Sequence, residues 1–221
     1  MARGSARCAL ASGVLLALSI AAGGAVAAPD GAAIVFHGIG TTPACSSCHG
    51  AQGQGNPTIG APPLAGDGLA YLREQLASFA SGQRLNPIMH PIAHALSPAQ
   101  QDAAAQVFAA MPALAPHPVA PEGNPLGARL AERGRWSEQL PACTQCHGPD
   151  GVGVGTAFPH LAGLTAPYIA GQLAAFRDGK RPPGPLGLMG RVAHKLSPAD
   201  VAAVSAYFAA AGGAGTPEKT P

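Results

Sequence analysis

Four cysteines and two histidines fall in two short clusters, CSSCH at Cys45–His49 and CTQCH at Cys143–His147. In each cluster two cysteines stand at i and i+3 and a histidine at i+4. Those positions share one face of a helical turn. Thiols placed there can add to the two vinyl groups of one haem while the imidazole ligates its iron from the same side, and CxxCH is the haem-attachment signature for that reason. A CxxC pair also serves as a disulfide, a redox dithiol or half a zinc site. The dithiol reading expects a βαβ surround, which the sequence lacks. The two pairs lie 98 residues apart, and one zinc shared between them is a further alternative. Cys45, Cys48, Cys143 and Cys146 are thus candidate attachment points for two haem c groups, and His49 and His147 are candidate iron ligands.

The far side of each ring needs a second axial ligand. Met89 lies 40 residues after His49, and Met189 lies 42 after His147. Each stands in a Pro-rich loop seven residues before the leucine of an LSPA motif. A methionine is ordinarily core filler, but two in register fit ligands better. Met111 aligns with Ala211, so the repeat disfavours it. His90 is a rival beside Met89, although its counterpart is Gly190. His94 and His194 match each other and suit packing. A ligating histidine usually gives its other ring nitrogen to an acceptor. The aligned prolines Pro62 and Pro159, 13 and 12 residues after their histidines, are candidate carbonyl acceptors for His49 and His147.

The elements that must hold these residues are themselves repeated. APPLAG from Ala61 returns as FPHLAG from Phe158; Tyr71, Gln75, Phe79, Gly82 and Arg84 return as Tyr168, Gln172, Phe176, Gly179 and Arg181; IAHALSPAQ returns as VAHKLSPAD. Repeats of nearly 100 residues are domains rather than solenoid units. The expected organisation is a signal peptide over 1–28, domain one over 29–112, a Pro-rich linker over 113–122, domain two over 123–213 and a flexible tail over 214–221. Each half opens with a helix, then carries CxxCH on a short helical segment and a Gly/Pro loop. A second helix follows, at Leu69–Ser81 and at Pro167–Asp178, with Leu72, Leu76 and Phe79 (Ile169, Leu173 and Phe176) on one face. The last helix opens on Ser97-Pro98 or Ser197-Pro198, a serine cap followed by a first-turn proline.

The chain has 221 residues, 11% of them charged and 5% aromatic. That is poor material for a β-sandwich and suits helices with Gly/Pro loops. Arg3, Arg7, the apolar run from Val14 and the small residues of AVAAPD read as a secretory signal cleaved near Ala27 or Ala28; a retained anchor is the alternative. Without Arg3 and Arg7 the acidic and basic residues balance at 11 each. Domain one is then slightly acidic and domain two slightly basic, a weak dipole for docking or a plain solubility device. No basic run suggests nucleic acid, and membrane contact is expected only through partners.

Halves of about 85 residues have marginal cores, and a bulky covalent porphyrin would compensate for the scarcity of large side chains. On CSSCHG and CTQCHG, the P-x-L-A-G loops, Y-x-x-x-Q-L-x-x-F-x-x-G-x-R, NPIM and LSPADVAAVSAYFA, the chain resembles the class I c-type cytochromes, and more closely the dihaem cytochrome c4 family. The resemblance implies an all-α fold of two tandem cytochrome c-type domains packed together, His/Met ligation of both irons and no enzymatic activity of its own. It implies electron transfer in the periplasm between redox protein partners such as a quinol-oxidising complex, a dehydrogenase or a terminal oxidase. Two segments depart from the repeat: KRPPGPLGLM at 180–189 lengthens the second Met loop, and RGRWSEQLPAC adds Trp136. These are similar to dihaem subunits that serve a dehydrogenase, so a haem c subunit of a dehydrogenase or oxidase complex is the alternative. A dihaem peroxidase, which needs an open iron position, is a further one.

Overall fold

A computed structural model describes residue 1, residues 28–113, residue 115 and residues 123–211. The expected signal segment up to residue 27, most of the expected linker and the expected tail lie outside the described residues. Among the described residues, each half carries five α-helices in the same order. The first half has α1 (Gly31–His37), α2 (Ser46–His49), α3 (Leu69–Ala80), α4 (Met89–His94) and α5 (Pro98–Ala110); the second has α6 (Pro125–Glu132), α7 (Thr144–His147), α8 (Ala166–Arg177), α9 (Leu188–Lys195) and α10 (Pro198–Ala210). Among the described residues, extended pairing is confined to isolated bridges in the loops. The fold is all-α, as the composition requires.

In each half the first helix crosses the last, and the sequence makes room for it with one glycine. A Cβ on Gly31 would stand 2.3 Å from the Ala103 carbonyl oxygen, and one on Gly127 would stand 2.6 Å from that of Ala203. Any side chain there would push the helices apart. Around the crossing lie Ile34, Val35, Leu72 and Phe108 in the first half and Leu130, Ile169, Leu173 and Phe208 in the second. The apolar stripes of α3 and α8 therefore bury as their spacing anticipates, with Leu76 and Phe176 half-buried at the edge.

One local feature differs from the sequence reading. Met89 and Met189 do not sit in loops; each lies in the first turn of a short helix, α4 or α9. Asn86 explains the first: its Oδ1 accepts from the amides of Ile88 and Met89 at 2.9 and 2.8 Å. This is the work of an N-cap side chain, with Pro87 following as a helix-starting residue.

The last helices carry full capping boxes, Ser97 with Gln100 and Ser197 with Asp200. Here the halves diverge. Asp200 also takes both branches of the Arg135 guanidinium, at 3.0 and 2.8 Å, so the added segment around Trp136 is tied to the start of α10. The Arg135 and Ser197 contacts hold the Asp200 carboxyl down at about 2. A group depressed in the folded state stabilises above its unfolded value of about 3.9, and that stability is lost as pH falls towards 2. Asp200→Asn is therefore expected to cost about 1 kcal/mol at pH 6, allowing for solvent screening. In urea unfolding series its difference from the parent protein should shrink between pH 4 and pH 2. A difference that is constant with pH would contradict this account.

The halves meet through a reciprocal cluster formed by α3, α8 and the segments that follow them. Arg84 donates to Gln75 of its own half at 2.8 Å and to Gln172 of the other at 2.8 Å. Arg181 donates to Gln172 at 2.7 Å and to Gln75 at 2.9 Å. Arg84 also reaches the Tyr168 hydroxyl at 3.1 Å. The guanidiniums lie over Phe79 and Phe176 respectively, 4.4 and 4.1 Å from the ring centroids. Both arginines are buried, and burial together with the Arg84 charge lowers the affinity of Arg181 for its proton. Backbone bonds from Tyr71 to Thr156 and from Leu85 to Lys180 frame the cluster.

Candidate functional site

The two CxxCH segments fold as anticipated. Each is a single helical turn begun by the first cysteine, and the His49 and His147 amides bond back to the carbonyls of Cys45 and Cys143 at 3.0 and 2.9 Å. The residue after each histidine must be glycine. Gly50 and Gly148 have φ of 81° and 80°, where a Cβ is strained, and this kink sends the chain away from the turn.

The four cysteines of the two clusters are free thiols, each partly buried. Burial raises the Cys45 thiol, and raises Cys143 to about 11. A redox dithiol calls for the opposite direction, a thiol lowered into the neutral range. Among the described residues no three His, Cys, Asp or Glu side chains converge on a common point. The two pairs therefore do not combine into one zinc site.

Both histidines are buried, with 8% and 7% of their surface exposed. Their Nδ1 atoms lie 2.9 Å from the Pro62 carbonyl and 2.8 Å from the Pro159 carbonyl. Burial lowers both imidazoles, only partly offset by those carbonyls. Each ring is thus neutral at pH 7, donates through Nδ1–H and keeps its Nε2 lone pair for a metal. Both carbonyls belong to the aligned prolines of the P-x-L-A-G loops. Two free thiols and an Nε2 donor on one helical face, set against a small apolar cluster, fit the two vinyl carbons and the iron of a haem in each half.

Met189 packs against the same apolar cluster as Cys143. Met89 is half-buried in the equivalent turn of α4, while Met111 packs on the first-half cluster from the end of α5. His90 is exposed, its Nδ1 2.7 Å from the Phe79 carbonyl. His94 and His194 are exposed as well, with their Nδ1 atoms at backbone carbonyls of Ala80 and Gly190.

One feature escapes the sequence reading. Asp67 of the first half is buried against the second, and its Oδ1 accepts from both the amide and Nδ1 of His160, at 3.1 and 2.8 Å. The signal is present only as a break in the repeat: Asp67 aligns with Leu164, and His160 with Pro63. Among the described residues no helix is long and apolar enough to cross a membrane.

Comparison with known proteins places the site in a family. The family model for cytochrome c matches twice, over residues 39–120 and 126–211. The thiosulfate dehydrogenase electron acceptor of Stutzerimonas stutzeri (strain A1501) is 47% identical over 192 residues, covering 84% of this chain and 88% of that one. Among solved structures, the thiosulfate dehydrogenase of Marichromatium purpuratum superposes with a TM-score of 0.72 at 41% identity; the match takes in 81% of this chain but only 39% of that one. Reduced cytochrome c4 of Pseudomonas stutzeri gives a TM-score of 0.67 at 34% identity, over 76% of this chain and 93% of that one.

Proposed function

Since the chain belongs to the cytochrome c family, as a dihaem protein of the cytochrome c4 kind, we propose that it is a periplasmic carrier. In this reading it accepts electrons from a thiosulfate dehydrogenase and delivers them to a further redox protein. Its family transfers electrons through covalently held haem, and the two CxxCH turns give this chain two haem c groups. When bound, each haem supplies a one-electron Fe(III)/Fe(II) couple.

The residues then have these roles. Cys45 and Cys48 tether one haem, and Cys143 and Cys146 the other. His49 and His147 ligate the irons through Nε2, oriented by the carbonyls of Pro62 and Pro159. Met89 and Met189 would supply the remaining iron ligand in each half. The equivalent helical positions of the two methionines support this, as does the turning of His90 towards Phe79. Thioether ligation favours the reduced iron, and saturated irons leave no position for substrate, which disfavours the peroxidase alternative. The domains are those of the repeat, 29–112 and 123–213.

The likeness to the Stutzerimonas acceptor over most of both chains carries the choice of donor. The test is stopped-flow reduction of the ferric, haem-loaded protein by thiosulfate. Rapid reduction of both haems is expected with a thiosulfate dehydrogenase present and negligible reduction without it. Failure with the enzyme present, while ascorbate still reduces both haems, would overturn the choice of donor. A second reading, a fixed subunit of such a dehydrogenase, rests on Trp136 and Leu186. They are 60% and 91% exposed and both stand on segments that depart from the repeat. Co-elution of the two proteins at micromolar concentration would favour the subunit, and a rate linear in dehydrogenase concentration the free carrier.

A further inference from the structure

We propose that Asp67, in the first half, is a positioning residue for the haem ligand of the second half. The inference rests on the ligation reading above. The path is short and fully bonded. Asp67 Oδ1 accepts from the His160 amide at 3.1 Å and from His160 Nδ1 at 2.8 Å. His160 directly follows Pro159, whose carbonyl lies 2.8 Å from His147 Nδ1. Two bonds to one oxygen thus clamp, from across the interface, the peptide that orients the axial histidine.

Burial makes the clamp stiff. The Asp67 and His160 side chains are 5% and 11% exposed, so water has little access to replace the lost partners. Among the described residues, the ring is held through Nδ1, with no side chain or carbonyl bonded to the buried Nε2.

The first half has no such clamp. The residue after Pro62 is Pro63, which has no amide proton and no side-chain donor, and the position facing it by symmetry is Leu164. The two haem sites, otherwise equivalent, therefore differ in one respect. The axial histidine of the second is braced by the other domain, and that of the first is not. A ligating imidazole with a firm Nδ1–H···O bond is more basic and favours Fe(III). Releasing the clamp should move the second couple, and only that one, towards Fe(II).

The experiment uses the full haem-loaded chain in redox titrations that resolve both couples, the second-half couple being the one that Met189→His displaces. Asp67→Leu, which installs the counterpart residue, is expected to shift the second couple's equilibrium towards Fe(II) by about fivefold, ~40 mV, with the first couple unmoved. Asp67→Asn keeps an acceptor oxygen and is expected to shift less than half as far. In the reduced protein, exchange of the His147 Nδ1 proton should accelerate in Asp67→Leu while that of His49 is unchanged. Should Asp67→Leu fail to accumulate, His160→Pro recreates the sequence at Pro63 and should give the same shift. The double variant should go no further than either single one. Equal shifts of both couples, or no shift of either, would overturn the inference while a low-spin spectrum keeps the ligation reading intact. A parent protein without a low-spin, histidine-ligated second haem would overturn both.

Discussion

Changing Cys143 and Cys146 together to serine is expected to give a protein that carries one covalent haem in place of two, with its second half largely unfolded. Haem staining per chain should fall by half, and the haem content of the purified protein should drop from two to one. The reasoning starts from the size of the core. The second half wraps about 90 residues around one apolar cluster with few aromatic members, and such a domain is marginal without a staple. The aromatic rings buried in that cluster are Tyr207 and Phe208; its other buried members are alanine and aliphatic side chains. Serine preserves the turn, because what holds α7 is backbone bonding and the glycine that follows. The loss should therefore trace to attachment rather than to local geometry. Thermal unfolding should show a low-temperature phase absent from the parent protein, of the size expected for half the chain. The first half should keep its haem. Retention of two covalent haems would refute the assignment of these thiols.

The second large effect concerns the far ligands. Met189→His should lower the second couple by on the order of 0.2 V, within the range that axial ligands command, and leave the first near its parent value. Met89→His should do the reverse. A thioether is a soft donor that favours Fe(II), whereas imidazole stabilises Fe(III). Both variants should lose the methionine–iron charge-transfer absorption from the affected haem only. A potential unchanged within a few millivolts would show that the substituted methionine is not the ligand. Met111 would then be the residue to test in the first half, since it packs on that half's apolar cluster.

Much of this was legible in the chain because it is local. The CxxCHG turn, the serine-proline helix starts and the apolar stripes of α3 and α8 are set by residues within one or two turns of each other. The repeat then doubled the signal. The prolines whose carbonyls face the two histidines stand at matching places in the repeat, 13 and 12 residues on. The helices opening on Met89 and Met189 were hidden because NPIMHP has no apolar periodicity, although Asn86-Pro87 is a helix start of the same kind as Ser97-Pro98. What sequence could not supply was pairing between the copies. Arg84, Gln75 and their counterparts repeat in register, but nothing in that register says that each arginine reaches into the other half. Asp67 and His160 are 93 residues apart and each breaks the repeat, so each read alone as a substitution without a partner.

The exchange of glutamine oxygens between Arg84 and Arg181 has a historical consequence. Two separate copies of one ancestral half, meeting about a twofold axis, would make the same cluster, with every contact formed twice. In such a homodimer a substitution appears on both sides at once, and an aspartate facing a histidine would have to be installed at both haems or at neither. Fusion of the copies removes that constraint. Within one chain, a single pair of residues can make two otherwise equivalent halves unequal.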